Sequence, residues 1–409
     1  MVFAEPAPFW PGTYCTVQFI PRHVFAPYMG AKAQQAPANL KPVGTGPYRF
    51  VEFKPGDLVR GELNPNYHAP NRPHFDTVEM KGGGDSVSAA RAVLQTGDYD
   101  YAWSIAVEDE ILRRMERGGK GRVEFTAGGT AEAIYLNYAD PVAEVDGERA
   151  SPQSRHPLFS DPALRKALAL LVDRQGVQDF IWGRAGVATA NFINNPPRFR
   201  SPNMKFEFNV DKANAVLDAA GYRRGADGVR EKGGRRLRFV FQTSINGPRQ
   251  KAQAIVKQAA QKAGIEVELK AVVASVFFSS DVANPDTFQK FFADLEMYAA
   301  DQGGPDPWRL LQCFVSWEIA SKATQWQGIN RNRWRSGEYD QLSHAAAIEL
   351  DPIKRAALLI RMNDLVCSDG YVIPLLYRPS VTALGSKLVA PLSGWDNDMS
   401  SLPDWYRRA

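Results

Sequence analysis

The chain has 409 residues, of which 44% are hydrophobic and 23% charged, with a formal net charge of +4. A chain of this length forms more than one globular unit, and the apolar fraction is ordinary for a folded domain. The mild net charge gives no acidic or basic tail, and with no run of about 18 apolar residues the sequence offers no transmembrane helix.

Met1 to Pro11 lacks a basic start and a long apolar core, so it does not read as a secretory signal. The stretch to residue 41 is rich in Pro, Ala and aromatic residues and poorly periodic; Ile20 to Phe25 reads as irregular. Pro42-Val43-Gly44-Thr45-Gly46-Pro47 then forms a shaped turn, because Pro47 fixes its own φ and pushes Gly46 toward extended backbone. It feeds a strand over Tyr48–Glu52, a turn at Pro55-Gly56-Asp57 and a strand over Leu58–Leu63, closed by Asn64-Pro65-Asn66-Tyr67. Phe75–Lys81 reads as a further strand, Ser86–Thr96 as a helix capped by Gly97, and Tyr99–Ser104 as a short strand. This alternation predicts α/β layering.

Asp161-Pro162 is a helix start, an acceptor followed by Pro at the first turn. The helix runs over Ala163–Val172, and a second one over Asp173–Trp182. Asp211–Ala220 is helical, Asp227-Gly228 a tight turn, Leu237–Thr243 a strand, Arg249–Ala263 an amphipathic helix ended by Gly264, and Ile265–Val272 a strand. The densest basic cluster, Arg223, Arg224, Arg230, Lys232, Arg235, Arg236 and Arg238, reads as an exposed hairpin; without interleaved aromatic residues it does not read as a nucleic-acid patch. Asp340–Ala347 and Pro352–Ser368 are helices, and Val372–Tyr377 an apolar strand.

Recognised catalytic signatures are missing. The five histidines, His23, His68, His74, His156 and His344, show no HExxH or HxH spacing, and there is no GxSxG elbow or GxxxxGK loop. Cys15, Cys313 and Cys367 have no CxxC spacing, which argues against a zinc site or redox pair and leaves one disulfide open. Asp396-Asn397-Asp398 hints at a calcium loop but lacks the Gly and the closing Glu.

Several strings resemble one family, the bacterial extracellular solute-binding proteins of the peptide/oligopeptide type, family 5: "PVGTGPYRFVEFKPGDLVRGELNPNYH", "HPLFSDPALRKALALLVDRQGV", "AGYRRGADGVREKGGRRLRFVFQ", "AGIEVELKAV", and "GEYDQL" followed by "YVIPLLY". The resemblance covers roughly residue 40 to the C-terminus. It implies a two-lobed α/β periplasmic-binding-protein-like fold of type II, large peptide-binding subclass. Lobe one is expected over 1–188, incomplete because family members carry a substantial region before the hairpin; lobe two is expected over 189–375, and a return segment over 376–409. The crossovers are expected near Ala188–Asn194 and Pro374–Arg378.

The same resemblance implies the solute-binding component of an ABC importer: a periplasmic, monomeric protein, not an enzyme, with no cofactor or metal and no nucleic acid. Its partners would be a peptide or small-molecule ligand and an inner-membrane permease. In the family, a loop of pattern aromatic-x-x-Asp followed by Asp-Pro lies at the cleft, and its aspartate pairs with the ligand's α-amino group. Asp301 matches that aspartate and Tyr298 stands where the family usually has Trp. A desolvated ammonium needs a carboxylate, which makes the match chemically sound; the plain alternative is that Asp301 caps its loop. Trp308, Arg309, Tyr377 and Trp395 complete the expected ligand-binding set, against the plain alternative of core packing for the Trp residues and a solvated Arg. Asp306-Pro307 reads as an N-cap with Pro at the first helical position. Two other readings stay open: an enzyme acting on an amino or peptide substrate without a recognisable motif, and a truncated chain that binds nothing.

Overall fold

The computed structural model describes residues 3–8, 10, 19–395 and 399–409. Cys15 and the calcium-like Asp396-Asn397-Asp398 lie outside the described residues. The chain packs as two compact units, one made of Met1–Trp10, Val107–Glu110 and Ala127–Ser380, the other of Pro11–Ala106, Ile111–Thr126 and Val381–Ala409. This partition does not follow the expected lobe divisions at 188/189 and 375/376.

The unit containing the N-terminal hairpin has an antiparallel meander of β1 (Tyr48–Lys54), β2 (Leu58–Leu63) and β3 (Thr77–Lys81). Its register runs from Tyr48 opposite Leu63 to Lys54 opposite Leu58, with a bulge between Phe50 and Glu52. Gly61 sits in the middle strand because a Cβ there would meet both Tyr48 and Val78 at 3.2 Å. Asn64 closes the ribbon through its Nδ2 to the Gly46 carbonyl, 2.8 Å. The helix expected after the glycines starts with a reciprocal cap between Asp85 and Ser88, and Gly97 ends it at φ +73°. β4 (Tyr101–Ala102) is shorter than the expected Tyr99–Ser104.

The larger unit is organised on a mixed sheet. β5 (Gly121–Leu136) contributes its C-terminal part; past the small ribbon β6 (Glu144–Val145) and β7 (Glu148–Arg149) comes β8 (Val187–Ala188). A three-stranded ribbon of β9 (Arg223–Arg224), β10 (Arg230–Lys232) and β11 (Arg235–Arg236) precedes β12 (Arg238–Ser244), β13 (Glu266–Val272), β14 (Leu295–Ala300) and β15 (Val372–Gly385). Neighbouring strands follow the order β13-β12-β14-β5-β15, with β8 on β15. β12 is parallel to β13 and β14, and β14 is antiparallel to β5. The helix Gly247–Lys262 makes the crossover between β12 and β13 that a parallel pair requires. Asn246 accepts the Arg249 N–H at its start, and Gly264 turns the chain at φ +75°.

The sixteen-residue β5 has no counterpart among the expected elements. Gly128 and Gly129 interrupt its pattern, and Ala131 to Leu136 are all buried, so the alternation of a half-exposed strand is absent. The basic cluster needs a correction: Arg230 is not an exposed hairpin residue. It is 2% exposed and donates to Asp218 at 2.5 Å, to the Tyr222 and Ala263 carbonyls at 2.7 and 2.9 Å, and to Asn214 at 2.9 Å. It ties the ribbon to two helix ends. In the other unit, β15 continues beside β4, and β16 (Leu388–Val389) pairs with β17 (Tyr406–Arg407). Leu384, Leu388 and Trp405 form its core there.

Candidate ligand-binding site

Asp301 follows directly on β14, opposite the middle of β5, because Ala300 pairs with Ala131 in the antiparallel ladder. Its side chain is exposed. Oδ1 accepts the Gly303 N–H at 3.3 Å and stands 3.5 Å from Thr130 Oγ1. Gly303 adopts φ +67°, which lets the loop turn back at once. The loop ends where Asp306 Oδ1 accepts the Trp308 N–H at 2.9 Å; the short helix Trp308–Leu311 has Pro307 itself as N-cap, one residue later than the expected Asp306 cap, and the Asp306 carboxylate is clamped by Arg355 at 2.5 and 3.1 Å.

Tyr298 lies beneath. It is 4% exposed, stacks on Tyr135 with centroids 4.2 Å apart and planes 10° apart, and meets Phe288 edge-on at 5.3 Å. Burial pushes its phenol pKa far up, against the pull of the Arg331 charge. The expectation that Tyr298 walls a ligand is corrected to this extent: it presents no open ring face, because neighbours from β5 and the loop around Phe288 cover it. Its aromatic cluster stiffens the strand that carries Asp301.

Trp308 is half-buried and its Nε1 donates to the Ser343 carbonyl at 3.2 Å, which turns it toward the helix Gly337–Ile348. Arg309 is exposed. Tyr377, on β15, is half-buried and its hydroxyl donates to the Gly128 carbonyl of β5 at 3.1 Å; burial raises its pKa. Trp395 belongs to the other unit and is half-buried. The structure thus brings Tyr298 and Asp301 onto one strand end and sets Trp308 at the far end of the same loop.

A cluster that no motif announced lies on the same face of β5 as Thr130. Residues two apart in a strand share a face about 7 Å apart, so Glu132 follows Thr130 there. Glu132 is fully buried and takes two guanidiniums: Arg249 at 2.7 and 3.2 Å, and Arg378 at 3.0 Å. Arg249 also donates to Ser244 Oγ at 2.9 Å. Burial by itself raises the Glu132 pKa; Arg249 and then Arg378 outweigh it and hold the carboxyl below its ordinary value. The three residues are 117 and 246 positions apart, so no local spacing could reveal them. The signal available was a charge set in an apolar strand, as in Ala131-Glu132-Ala133 and Leu376-Tyr377-Arg378. Among the described residues, no group of three or more His, Cys, Asp or Glu side chains is placed to hold a metal ion, and no helix is long and apolar enough to cross a membrane.

Comparison with known proteins identifies the family and the fold. A family model described as bacterial extracellular solute-binding proteins, family 5 (middle), matches residues 1–319; the match thus begins before residue 40. The oligopeptide-binding protein AppA of Bacillus subtilis is 26% identical over 260 residues, covering 62% of this chain and 44% of the relative. The structure of that AppA in complex with a nonapeptide superposes with a TM-score of 0.79 at 20% identity, covering 100% of this chain and 75% of the other. NikZ from Campylobacter jejuni in complex with Ni(L-His) gives 0.80 at 20% identity, covering 98% and 75%. These likenesses establish the shared two-lobed α/β fold. The chain spans less than half the length of the first curated relatives it matches.

Proposed function

We propose that this chain, which belongs to the bacterial extracellular solute-binding proteins of family 5, captures a peptide or peptide-like solute and delivers it to the membrane permease of an ABC importer. The observation that carries the reading is Asp301: an exposed carboxylate on a Gly-rich loop, at the end of a strand braced by stacked aromatic rings. A carboxylate so placed suits the α-amino group of a peptide, because a charge-assisted bond is strongest where water is displaced. Trp308, Arg309 and Tyr377 complete the ligand-contacting set of this unit, and the ring of Tyr298 braces the strand that carries Asp301.

The lobe boundaries at 188/189 and 375/376 belong to the same proposal, with closure by hinge bending. One observation favours them. The two expected crossovers run side by side, since Ala188 pairs with Leu376 and Val187 with Tyr377 in an antiparallel bridge, and adjacent crossovers let two lobes bend about one axis. A monomeric state and a periplasmic location complete the reading.

The test is a thermal-melt screen of the 409-residue chain against di- to pentapeptides, opines, oligosaccharides and nickel, with Asp301→Ala alongside. A ligand at about 100 times its dissociation constant adds roughly 2.7 kcal/mol. A shift with peptides that disappears in Asp301→Ala supports the amine anchor. A shift unchanged by that substitution refutes the role of Asp301, and no shift with any solute refutes the binding reading.

A further inference from the structure

A second buried carboxyl lies on the sheet face opposite to that of Glu132. Glu296, on β14, pairs with Tyr135 in the ladder, and Tyr298, two residues on, shares its face. Glu296 is 0% exposed. Its Oε1 takes one neutral donor, Gln242 Nε2 at 3.1 Å, and its Oε2, buried, meets no donor among the described residues. Two guanidiniums act on it without a carboxylate of their own. Arg333, 1% exposed, gives Nη1 to the Arg331 carbonyl at 2.7 Å and Nη2 to the Lys290 carbonyl at 2.8 Å, while its buried Nε–H meets no acceptor among the described residues. Arg331 lies over the Phe288 ring, 4.2 Å from the centroid, donates to Gln289 Oε1 at 3.0 Å and reaches the Tyr298 hydroxyl. A carboxyl and two guanidiniums thus share one neighbourhood and do not pair.

A buried carboxylate without a charge partner is costly, so this arrangement suits the protonated acid. Burial raises the Glu296 pKa well above its ordinary value, against the pull of Arg333 and then Arg331. The groups around it are otherwise engaged or neutral. Burial pushes the Tyr135 and Tyr298 phenols and the Cys313 thiol up. Lys270 on β13 is paired with Asp286 at 2.6 Å, Asp294 is held by His156 and the Val240 N–H, and Glu148, which acts on Arg333, accepts the Lys322 N–H at 2.6 Å. Arg333 keeps a left-handed backbone, φ +60°, a conformation that costs a non-glycine residue energy, so its backbone does not oppose a move.

We propose that Glu296 is a proton-linked switch beneath the solute site: uncharged, it leaves Arg331 on the aromatic brace of the Asp301 strand; ionised, it draws Arg333 into an ion pair and, through the Arg331 carbonyl that Arg333 holds, pulls Arg331 off that brace. Solute capture then weakens as pH rises. The link to capture rests on the solute-binding reading above, and the proton site on the cluster alone. Two packings of one buried pair, biased by one proton, are the bistable element such a switch needs.

Three measurements test it. In the chain labelled with carbon-13 at the glutamate carboxyl, one resonance sits at the protonated position at neutral pH, moves to the carboxylate position as pH rises, and is missing in Glu296→Gln. No protonated glutamate at neutral pH overturns the proposal, and this reading of the unsubstituted chain stands even if the variant does not fold. In thermal melts, a group whose folded pKa is raised contributes stability that is present below the unfolded value and lost as pH rises through the folded one. The midpoint of the unsubstituted chain should therefore fall by several degrees relative to Glu296→Gln over that range, and parallel profiles overturn the proposal. Last, the midpoint rise given by di- to pentapeptides should shrink with rising pH in the unsubstituted chain more than in Glu296→Gln; equal dependence in both removes the link to capture. Peptides without effect at any pH, with the first two results holding, would remove the solute-binding reading and keep the switch.

Discussion

Replacing Asn363 with alanine should weaken the larger unit more than its small change in volume implies. Asn363 is 0% exposed on the helix Pro352–Ser368. Its Oδ1 accepts the N–H groups of Phe192 and Ile193 at 2.9 and 3.0 Å, and its Nδ2 donates to Asn191 Oδ1 at 2.7 Å. Phe192 and Ile193 are themselves buried and lie in the irregular segment after β8, where no ladder offers another acceptor. Alanine leaves two buried donors unpaired, each costing about 1–3 kcal/mol, so the loss should be roughly 2–6 kcal/mol. For a unit of this size, at about 2–4 °C per kcal/mol, the melting midpoint should fall by roughly 4–24 °C. Urea unfolding checks this: the midpoint should drop at constant slope. Ile353→Ala, on the same helix but at a residue 81% exposed, should stay within about 0.5 kcal/mol. A loss below about 1 kcal/mol for Asn363→Ala would refute the reasoning, since it would mean that the segment finds its partners elsewhere.

Further outcomes follow from the same logic. Arg230→Lys should cost about 2–4 kcal/mol in urea unfolding, because an ammonium cannot reach Asp218, Asn214 and two carbonyls together; a neutral result would sink the tethering role. Gly264→Ala should cost about 1–3 kcal/mol, since φ is +75° and a Cβ would lie 2.8 Å from Arg230 Cγ and 2.9 Å from the Gly228 carbonyl; differential scanning calorimetry reads it. Glu132 should shape the acid limb of stability. Its folded pKa is depressed, so its contribution is present above the unfolded carboxyl value and is lost as pH falls through the folded one. Glu132→Gln should therefore be less stable at neutral pH yet lose less stability on acidification, and identical acid limbs for the two chains would contradict this.

Much of the fold was legible because it is encoded locally. The hairpin at 48–63 follows from Pro47, Gly56 and two short strand patterns, and the structure pairs them as expected. The helices beginning at Pro162 and Pro352 carry their caps in sequence, Asp161 accepting the Ala163 N–H and Asp351 those of Ile353 and Lys354. The βαβ unit from Arg238 to Val272 was readable from period and from Gly264. β5 was not, because a strand buried on both faces has no alternation to read and Gly128 and Gly129 suggest a break. Arg230 was misread for a related reason: an arginine among exposed arginines looks solvated until a helix end arrives to bury it.

The site divides along the same line. Asp301 is proposed from the resemblance of its loop to the family's pattern, which spans only a few residues. Its bracing by Tyr135 and Tyr298 depends on a strand pairing that no local pattern states. The Glu132–Arg249–Arg378 cluster joins β5, the helix after β12 and β15. Local propensities, caps and turns act over a few residues, and these the sequence determined by itself. Which charges share a buried volume, and whether their number balances, depends on contacts hundreds of residues apart, and only the tertiary structure decided it.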